Sequence, residues 1–338
     1  MELFSGFIKC NESIFDDEEG WNKTQEEKPN EILEDPREIY KFLKTRVYKQ
    51  DEAVRKASML LYNHVHGRVS RNLFCGPSGC GKTYIFDVIK NELFPYIIIA
   101  NSAVFTQSGF SGAEKIYSPL LSIDEKASKG YIVVYDEFDK FVTPKVESHG
   151  NNVSSAMQAE LLALVQSSQP YIMLRRHSSD SGKRVRLDNI SWVFVGAFSA
   201  KANEIAKNKS TKALGFGAQT CNFSAFEEEL TLDDVIDFGL IPELASRIGS
   251  ITNLRPLQLK DYMYLISEFE NSPIQQIEKK YLLPKGFIRR EVLSDDELKQ
   301  IAENAYESSL GVRSAYSQIQ QRLDDYIFDN FENFTPSF

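Results

Sequence analysis

The sequence predicts an α/β fold: a parallel sheet covered by helices on both faces, followed by a smaller, mainly helical unit. Three observations carry this. Short apolar runs of strand type, at 73–75, 96–99, 131–135 and 190–195, alternate with stretches of helical period, which implies parallel strands joined by crossover helices. The first run feeds the octapeptide Gly76-Pro77-Ser78-Gly79-Cys80-Gly81-Lys82-Thr83, after which Ile85, Ile89 and Leu93 recur at helical spacing. Beyond Pro256 the strand-like runs cease, and helical periodicity takes over at 258–269, 294–306 and 311–328.

Residues 1–34 are polar and rich in acids, as in Asp16-Asp17-Glu18-Glu19, and are expected to form a mobile arm. A large domain is expected over 35–255, a small helical one over 256–330, and a tail over 331–338. From Asp35-Pro36 the pattern is helical, with Ile39, Phe42 and Leu43 on one face, and a second helix covers 51–64. The strands at 73–75 and 96–99 are followed by a glycine-bearing loop at 107–112. After the β-branched run 131–135, residues 145–155 are polar and expected to be mobile, and a helix follows at 156–166. Arg175, Arg176, Lys183, Arg184 and Arg186 mark a basic loop over 175–187. After the strand at 190–195, residues 207–231 look irregular, and a short strand is expected at 250–254.

At 338 residues the chain has room for about two domains and a sizeable core. Its composition, 42% hydrophobic and 26% charged, is that of a globular protein. No apolar run approaches the ~18 residues that cross a bilayer, so no membrane partner is expected. The start, Met1-Glu2-Leu3-Phe4-Ser5, carries no basic segment of secretory type, which points to the cytoplasm. A net charge of −9 argues against a nucleic-acid partner. Four cysteines without a CxxC pair make a structural zinc improbable, and no disulfide framework is expected.

The octapeptide is a complete phosphate-binding loop. Its glycines allow backbone N–H groups to turn inward around a polyphosphate, Lys82 can reach the β- and γ-phosphates, and the Thr83 hydroxyl can ligate Mg²⁺. The following helix offers its positive N-terminus to the same phosphates. Nucleotide hydrolysis also needs a metal-holding acid at the end of a neighbouring strand. Asp136, directly after the run 131–135, fills that role beside Thr83, and Glu137 can polarise the attacking water as general base. Cys75 and Cys80 flank the loop, which raises the question of a redox-sensitive site.

Several separated motifs between Pro36 and about Leu323 carry a resemblance. Asp136-Glu137-Phe138-Asp139-Lys140 resembles the Walker B segment of AAA+ unfoldases, and the match is closest to the ClpX branch of the Clp/HSP100 family. The resemblance implies an AAA+ large domain followed by the small helical AAA+ domain, with ATP as the nucleotide. By it, Val47 and Tyr48 lie where adenine is gripped. Thr106-Gln-Ser-Gly109-Phe110-Ser111-Gly112 resembles the aromatic pore loop, with Phe110 in the aromatic place. The basic loop sits where ClpX has its pore-entrance loop. Leu214-Gly215-Phe216 resembles the loop that docks into the ClpP peptidase; an exposed Leu and Phe on a polar loop usually mean a partner. Arg247, in Gly239-Leu-Ile-Pro-Glu-Leu-Ala-Ser-Arg247, resembles the arginine that reaches a neighbouring subunit's ATP, and Gly311-Val312-Arg313 resembles sensor 2. The arginine segment reads Ala-Ser-Arg where the family shows Ile-Gly-Arg. ClpX carries an N-terminal zinc module; here the start is acidic and without cysteine pairs, so no zinc is expected.

Together these features imply an ATP-dependent unfoldase that forms a ring, expected to be a hexamer. It would thread unfolded or tagged proteins through a central pore to a ClpP-like peptidase, without being a peptidase itself. The alternatives are a remodelling chaperone that works without a protease, a nucleic-acid-associated AAA+ motor, which the acidic charge and the Phe110 loop argue against, and a small-molecule kinase, which has no use for Arg247 or a pore loop.

Overall fold

The structure is a computed structural model. It describes residues 29–106, 114–124, 127–145, 152–166, 169–175, 182–213, 225–269, 272, 274–275, 292–308 and 311–330. Its centre is a five-stranded parallel sheet in the order β2-β5-β8-β1-β9, formed by β1 (Arg71–Cys75), β2 (Ile97–Asn101), β5 (Tyr131–Asp136), β8 (Ile190–Gly196) and β9 (Ile251–Asn253). Two small ribbons lie outside it: β3 (Phe105–Thr106) with β4 (Glu114–Lys115), and β6 (Tyr171–Leu174) with β7 (Lys183–Arg186).

The alternation of strand side chains builds two separate apolar layers. Leu73, Cys75, Val133, Tyr135, Trp192 and Phe194 point into one, and Phe74, Ile132, Val134, Val193 and Val195 point into the other. Both sheet faces are therefore covered, as the continuous apolar runs predict. One layer is closed by α2 (Pro36–Lys44), α3 (Asp51–Val65) and α4 (Lys82–Val88), through Ile39, Leu43, Leu61, Ile85 and Phe86. The other is closed by α5 (Phe138–Val142), α6 (Val153–Val165), α7 (Ser199–Ala213), α8 (Leu232–Phe238) and α9 (Pro242–Ile248). A third cluster, including Tyr262, Ile266, Ile301, Ala305 and Ile319, is formed by α10 (Leu259–Ser267), α11 (Asp295–Glu307) and α12 (Val312–Asp329).

Helix starts follow local chemistry. Asp35 accepts from the Arg37 N–H and Pro36 occupies the first turn of α2, where its missing donor costs nothing. Capping boxes open α8 (Thr231/Asp234) and α11 (Ser294/Glu297).

Four expectations are corrected. Residues 29–34 do not belong wholly to an arm: α1 (Pro29–Ile32) is helical, and Ile32 and Leu33 are buried in the core. The polar stretch 145–155 ends sooner than expected, because Asn152 accepts from the Ser155 N–H and starts α6 at Val153. The basic loop 175–187 is partly an antiparallel ribbon, with Tyr171 opposite Arg186 and Met173 opposite Arg184. The irregular stretch 207–231 is helical as far as Ala213.

Candidate nucleotide site

The glycine-rich loop 76–83 leaves β1, Asp136 ends β5, and β8 lies between them in the sheet. The site thus sits at the carboxyl ends of three adjacent parallel strands, where open α/β sheets bind ligands. Gly76 passes so close to β9 that an added Cβ would stand 2.7 Å from the Leu254 carbonyl oxygen, so no side chain fits there. Lys82 is nearly buried, and its ammonium donates to the carbonyls of Gly76 at 2.8 Å and Pro77 at 2.6 Å. Both acceptors are neutral, so the charge is carried into the loop without a carboxylate to cancel it, which suits a polyphosphate. Pro77, Ser78, Gly79, Cys80 and Gly81 complete the turn that delivers α4.

The Thr83 hydroxyl donates to Asp136 Oδ2 at 2.9 Å, and Asp136 Oδ1 accepts from the Glu137 N–H at 2.8 Å. A hydroxyl and a carboxylate oxygen side by side fit a hard cation such as Mg²⁺. Among the described residues no cluster of three or more His, Cys, Asp or Glu is placed to hold a metal. A cation between Thr83 and Asp136 therefore needs phosphate and water oxygens to complete its shell. Glu137 adopts a left-handed conformation (φ 55°), caps α5 and is exposed. Its side chain is open to solvent.

The two sequence-identified arginines occupy opposite ends of the sheet. Arg313 stands in the first turn of α12, exposed, and its charge acts on Asp87, one turn beyond Thr83 on α4. Burial, and next the nearby Asp136, raise the Asp87 carboxyl above its usual range, with Arg313 among the charges that oppose the shift. The start of α12 touches the phosphate loop: a Cβ on Gly311 would stand 3.1 Å from the Gly79 Cα. Arg247, in the last turn of α9, is exposed at the other end. Its charge bears on Arg71, the first residue of β1, and the next residue, Asn72, donates to Ser250 Oγ at 2.6 Å. Four strand steps separate Arg71 from Cys75, roughly 13 Å at 3.3 Å each, so the phosphate loop leaves the opposite end of β1 from Arg71.

Val47 is buried in the core, and Tyr48 packs at 4.7 Å from the Tyr264 ring while its hydroxyl reaches Asp261 at 3.4 Å. Burial pushes the thiols of Cys75 and Cys80 above their usual range despite the neighbouring Lys82. Both are thereby held as thiols, the poorly reactive form. The pore-loop residues Gly109, Phe110, Ser111 and Gly112 and the docking residues Leu214, Gly215 and Phe216 lie outside the described residues.

Two further side chains belong to the site. Gln50, buried in a left-handed turn (φ 54°), donates to the Cys80 carbonyl at 3.3 Å and the Arg255 carbonyl at 2.8 Å, and accepts from the Arg255 N–H at 3.0 Å. It ties the phosphate loop to the segment that leads into the helical cluster. Asp139, buried, accepts from the Ala197 N–H at 3.1 Å and pairs with Lys140 at 3.1 Å, which fastens α5 to the end of β8. Asp139 was visible in the acidic segment 136–139; Gln50 had only its place beside Val47 and Tyr48 as a signal.

The chain is similar in sequence to known proteins. The profile of the ATPase family associated with various cellular activities (AAA) matches residues 72–193, which takes in β1 from Asn72, the glycine-rich loop, Asp136, Glu137 and the first half of β8. The ATP-dependent Clp protease ATP-binding subunit ClpX of Treponema denticola is 27% identical over 324 residues, covering 87% of this chain and 77% of that protein. ClpX 2 of Wolinella succinogenes is 29% identical over 349 residues (95% and 85%), and ClpX of Porphyromonas gingivalis is 28% identical over 346 residues (93% and 81%).

Proposed function

We propose that this chain, an AAA+ ATPase of ClpX-like sequence, is an ATP-dependent protein unfoldase and translocase that assembles as a ring. The observation that carries this reading is the placement of the two arginines. Gly311, two residues before Arg313, packs against Gly79 of the chain's own phosphate loop, whereas Arg247 is exposed three residues before Ser250, whose hydroxyl meets Asn72 near the start of β1. An exposed arginine at that end is available to a neighbouring subunit, as the ClpX-like sequence implies, and a site completed by a neighbour belongs to an assembly, expected to be a hexamer.

In the proposed cycle, Lys82 and the loop N–H groups hold the phosphates of ATP. Thr83 and Asp136 would hold Mg²⁺, which would supply positive charge to the phosphates. Glu137 orients and deprotonates the attacking water. Arg313 bears on the phosphates from the helical cluster, and Arg247 of one subunit neutralises the charge that develops in the next. Val47 and Tyr48 form the wall offered to adenine. Phe110, between Gly109 and Gly112, grips an extended polypeptide, and Leu214-Gly215-Phe216 docks on a ClpP-like peptidase. Among the described residues no helix is long and apolar enough to cross a membrane.

The test combines the protein, ATP and the host's ClpP with a folded fluorescent reporter carrying a set of terminal tags. ATP-dependent loss of fluorescence and of reporter mass supports the reading. Loss of fluorescence without loss of mass, unchanged by deleting 214–216, would replace it with a protease-independent remodeller. Phe110→Ala is expected to keep ATP turnover and lose unfolding; retained unfolding overturns the pore-loop role.

A further inference from the structure

A buried polar chain runs from the helix that carries Glu137 at its start to the helix that carries Arg247 at its end. It begins at α5, whose last carbonyls, Phe141 and Val142, accept from the Ser154 hydroxyl at 2.9 and 3.2 Å. Ser154 in turn accepts from Gln158 Nε2 at 3.2 Å. Gln158 is fully buried, and it grips the turn that leads into α9: Nε2 donates to the Gly239 carbonyl at 2.9 Å, and Oε1 accepts from the Ile241 N–H at 2.8 Å. Ile241 is the residue on which α9 starts. The same turn also touches α5 directly. A Cβ on Gly239 would stand 2.6 Å from the Val142 carbonyl oxygen, and its φ of 138° is one that a side chain rarely adopts. Only glycine lets the two segments close on each other.

A buried amide that uses both ends on one turn is costly to leave unpaired, so the turn and α6 move as a unit or break several bonds together. Helix α9 is seven residues long, with Leu244, Ala245 and Ile248 packed in the core, so its body cannot shift without its start. At the other end, Asp139 fastens α5 to Ala197. The segment behind Glu137 and the segment that aims Arg247 thus share one rigid connection, and Gln158 is its middle member.

We propose that Gln158 is a positioning residue that sets the reach of Arg247 into the neighbouring subunit from the same helix that carries Glu137. Gln158 touches no nucleotide. It acts through the Gly239–Ile241 turn, supported by Ser154 and Gly239, and links the state of a subunit's own water-activating base to the arginine it lends. This inference rests on the reading of Arg247 as acting between subunits.

The test is subunit mixing with the full-length chain. In homomeric rings Gln158→Met, which keeps the volume and removes the hydrogen bonds, is expected to lower kcat for ATP by about tenfold to a hundredfold, the scale of a misplaced catalytic group, with KM for ATP changed less than about twofold. Glu137→Gln rings are expected to be inactive as well. Mixed together, the two variants should regain turnover, because each Gln158→Met site that follows a Glu137→Gln subunit receives a correctly aimed Arg247. Mixing Arg247→Ala with Glu137→Gln is the reference and should recover in the same way. If the reference recovers and the Gln158→Met mixture does not, the positioning role is overturned while the reading of Arg247 stands. If neither recovers, the reading of Arg247 fails and takes the inference with it. If Gln158→Met does not fold, Gln158→Leu, which also removes both hydrogen bonds, is held to the same outcomes.

Discussion

The Thr83 hydroxyl meets the Asp136 carboxylate at 2.9 Å, which joins the start of α4 to the end of β5 across the intervening strand β8. The contact brings together two oxygen donors that are 53 residues apart in the chain. It expresses the central arrangement of the candidate site: the glycine-rich loop after one strand, Asp136 at the end of another, and Glu137 one residue further on.

Thr83→Val removes one oxygen and preserves shape. Nucleotide affinity is expected to lose its dependence on Mg²⁺, with metal-dependent binding weakened by about tenfold to a hundredfold. Titration of a fluorescent ATP analogue with and without Mg²⁺ reads this out. An unchanged Mg²⁺ response would remove Thr83 from the metal shell.

Glu137→Gln keeps the left-handed cap of α5 and removes the base. ATP binding is expected within about twofold of the parent, with turnover reduced by roughly a hundredfold or more, the scale of general-base catalysis. Turnover near the parent's would show that another group activates the water.

Gly311→Ala places a methyl 3.1 Å from the Gly79 Cα at a backbone conformation (φ 60°, ψ −144°) that side chains disfavour. The strain is about 1–3 kcal/mol and falls where α12 meets the phosphate loop. ATP binding is expected to weaken, while the sheet retains its thermal transition. Calorimetry of ATP binding beside a melting curve separates the two, and unaltered affinity would show that the contact does not couple the cluster to nucleotide.

His64 makes stability pH-dependent. It is buried against the Phe94 ring with Nδ1 2.9 Å from Ser191 Oγ, and burial pulls its pKa down to about 4, with the Gly130 carbonyl opposing. The unfolded chain takes up this proton near pH 6.5, the folded chain only near pH 4. Stability attributable to His64 is therefore intact above pH 6.5 and falls as pH drops toward 4, by about 3 kcal/mol in all. Urea unfolding at pH 7 and pH 5 should show this slope, and His64→Gln should flatten it. An equal slope in the variant would assign the loss to other groups.

Much of this was legible in the sequence because it is written in short-range patterns. The octapeptide 76–83, the run 131–135 and the acids 136–137 each identify themselves by local chemistry, and the alternating apolar runs fix a parallel sheet with two covered faces. What stayed hidden depends on burial at long sequence distance. Gln158 sits in a helix among apolar residues, and only Ser154, Met157, Leu161 and Val165 on its buried stripe betray that its amide faces inward. The short helices α8 and α9, seven residues each, are too brief to leave a period. The ribbon of β6 and β7 was masked by its arginines, which stand on the solvent face while Leu174 and Val185 reach the core.

The central claim is that a chain's ATP site is completed by a neighbour's Arg247. Its most direct test measures ATP turnover per chain across a dilution series, with the assembly state followed by sedimentation on the same samples. The account predicts that turnover per chain falls in step with dissociation of the ring, and that Arg247→Ala removes it at concentrations where the ring is intact. Constant turnover per chain in samples that sediment as monomers would contradict it.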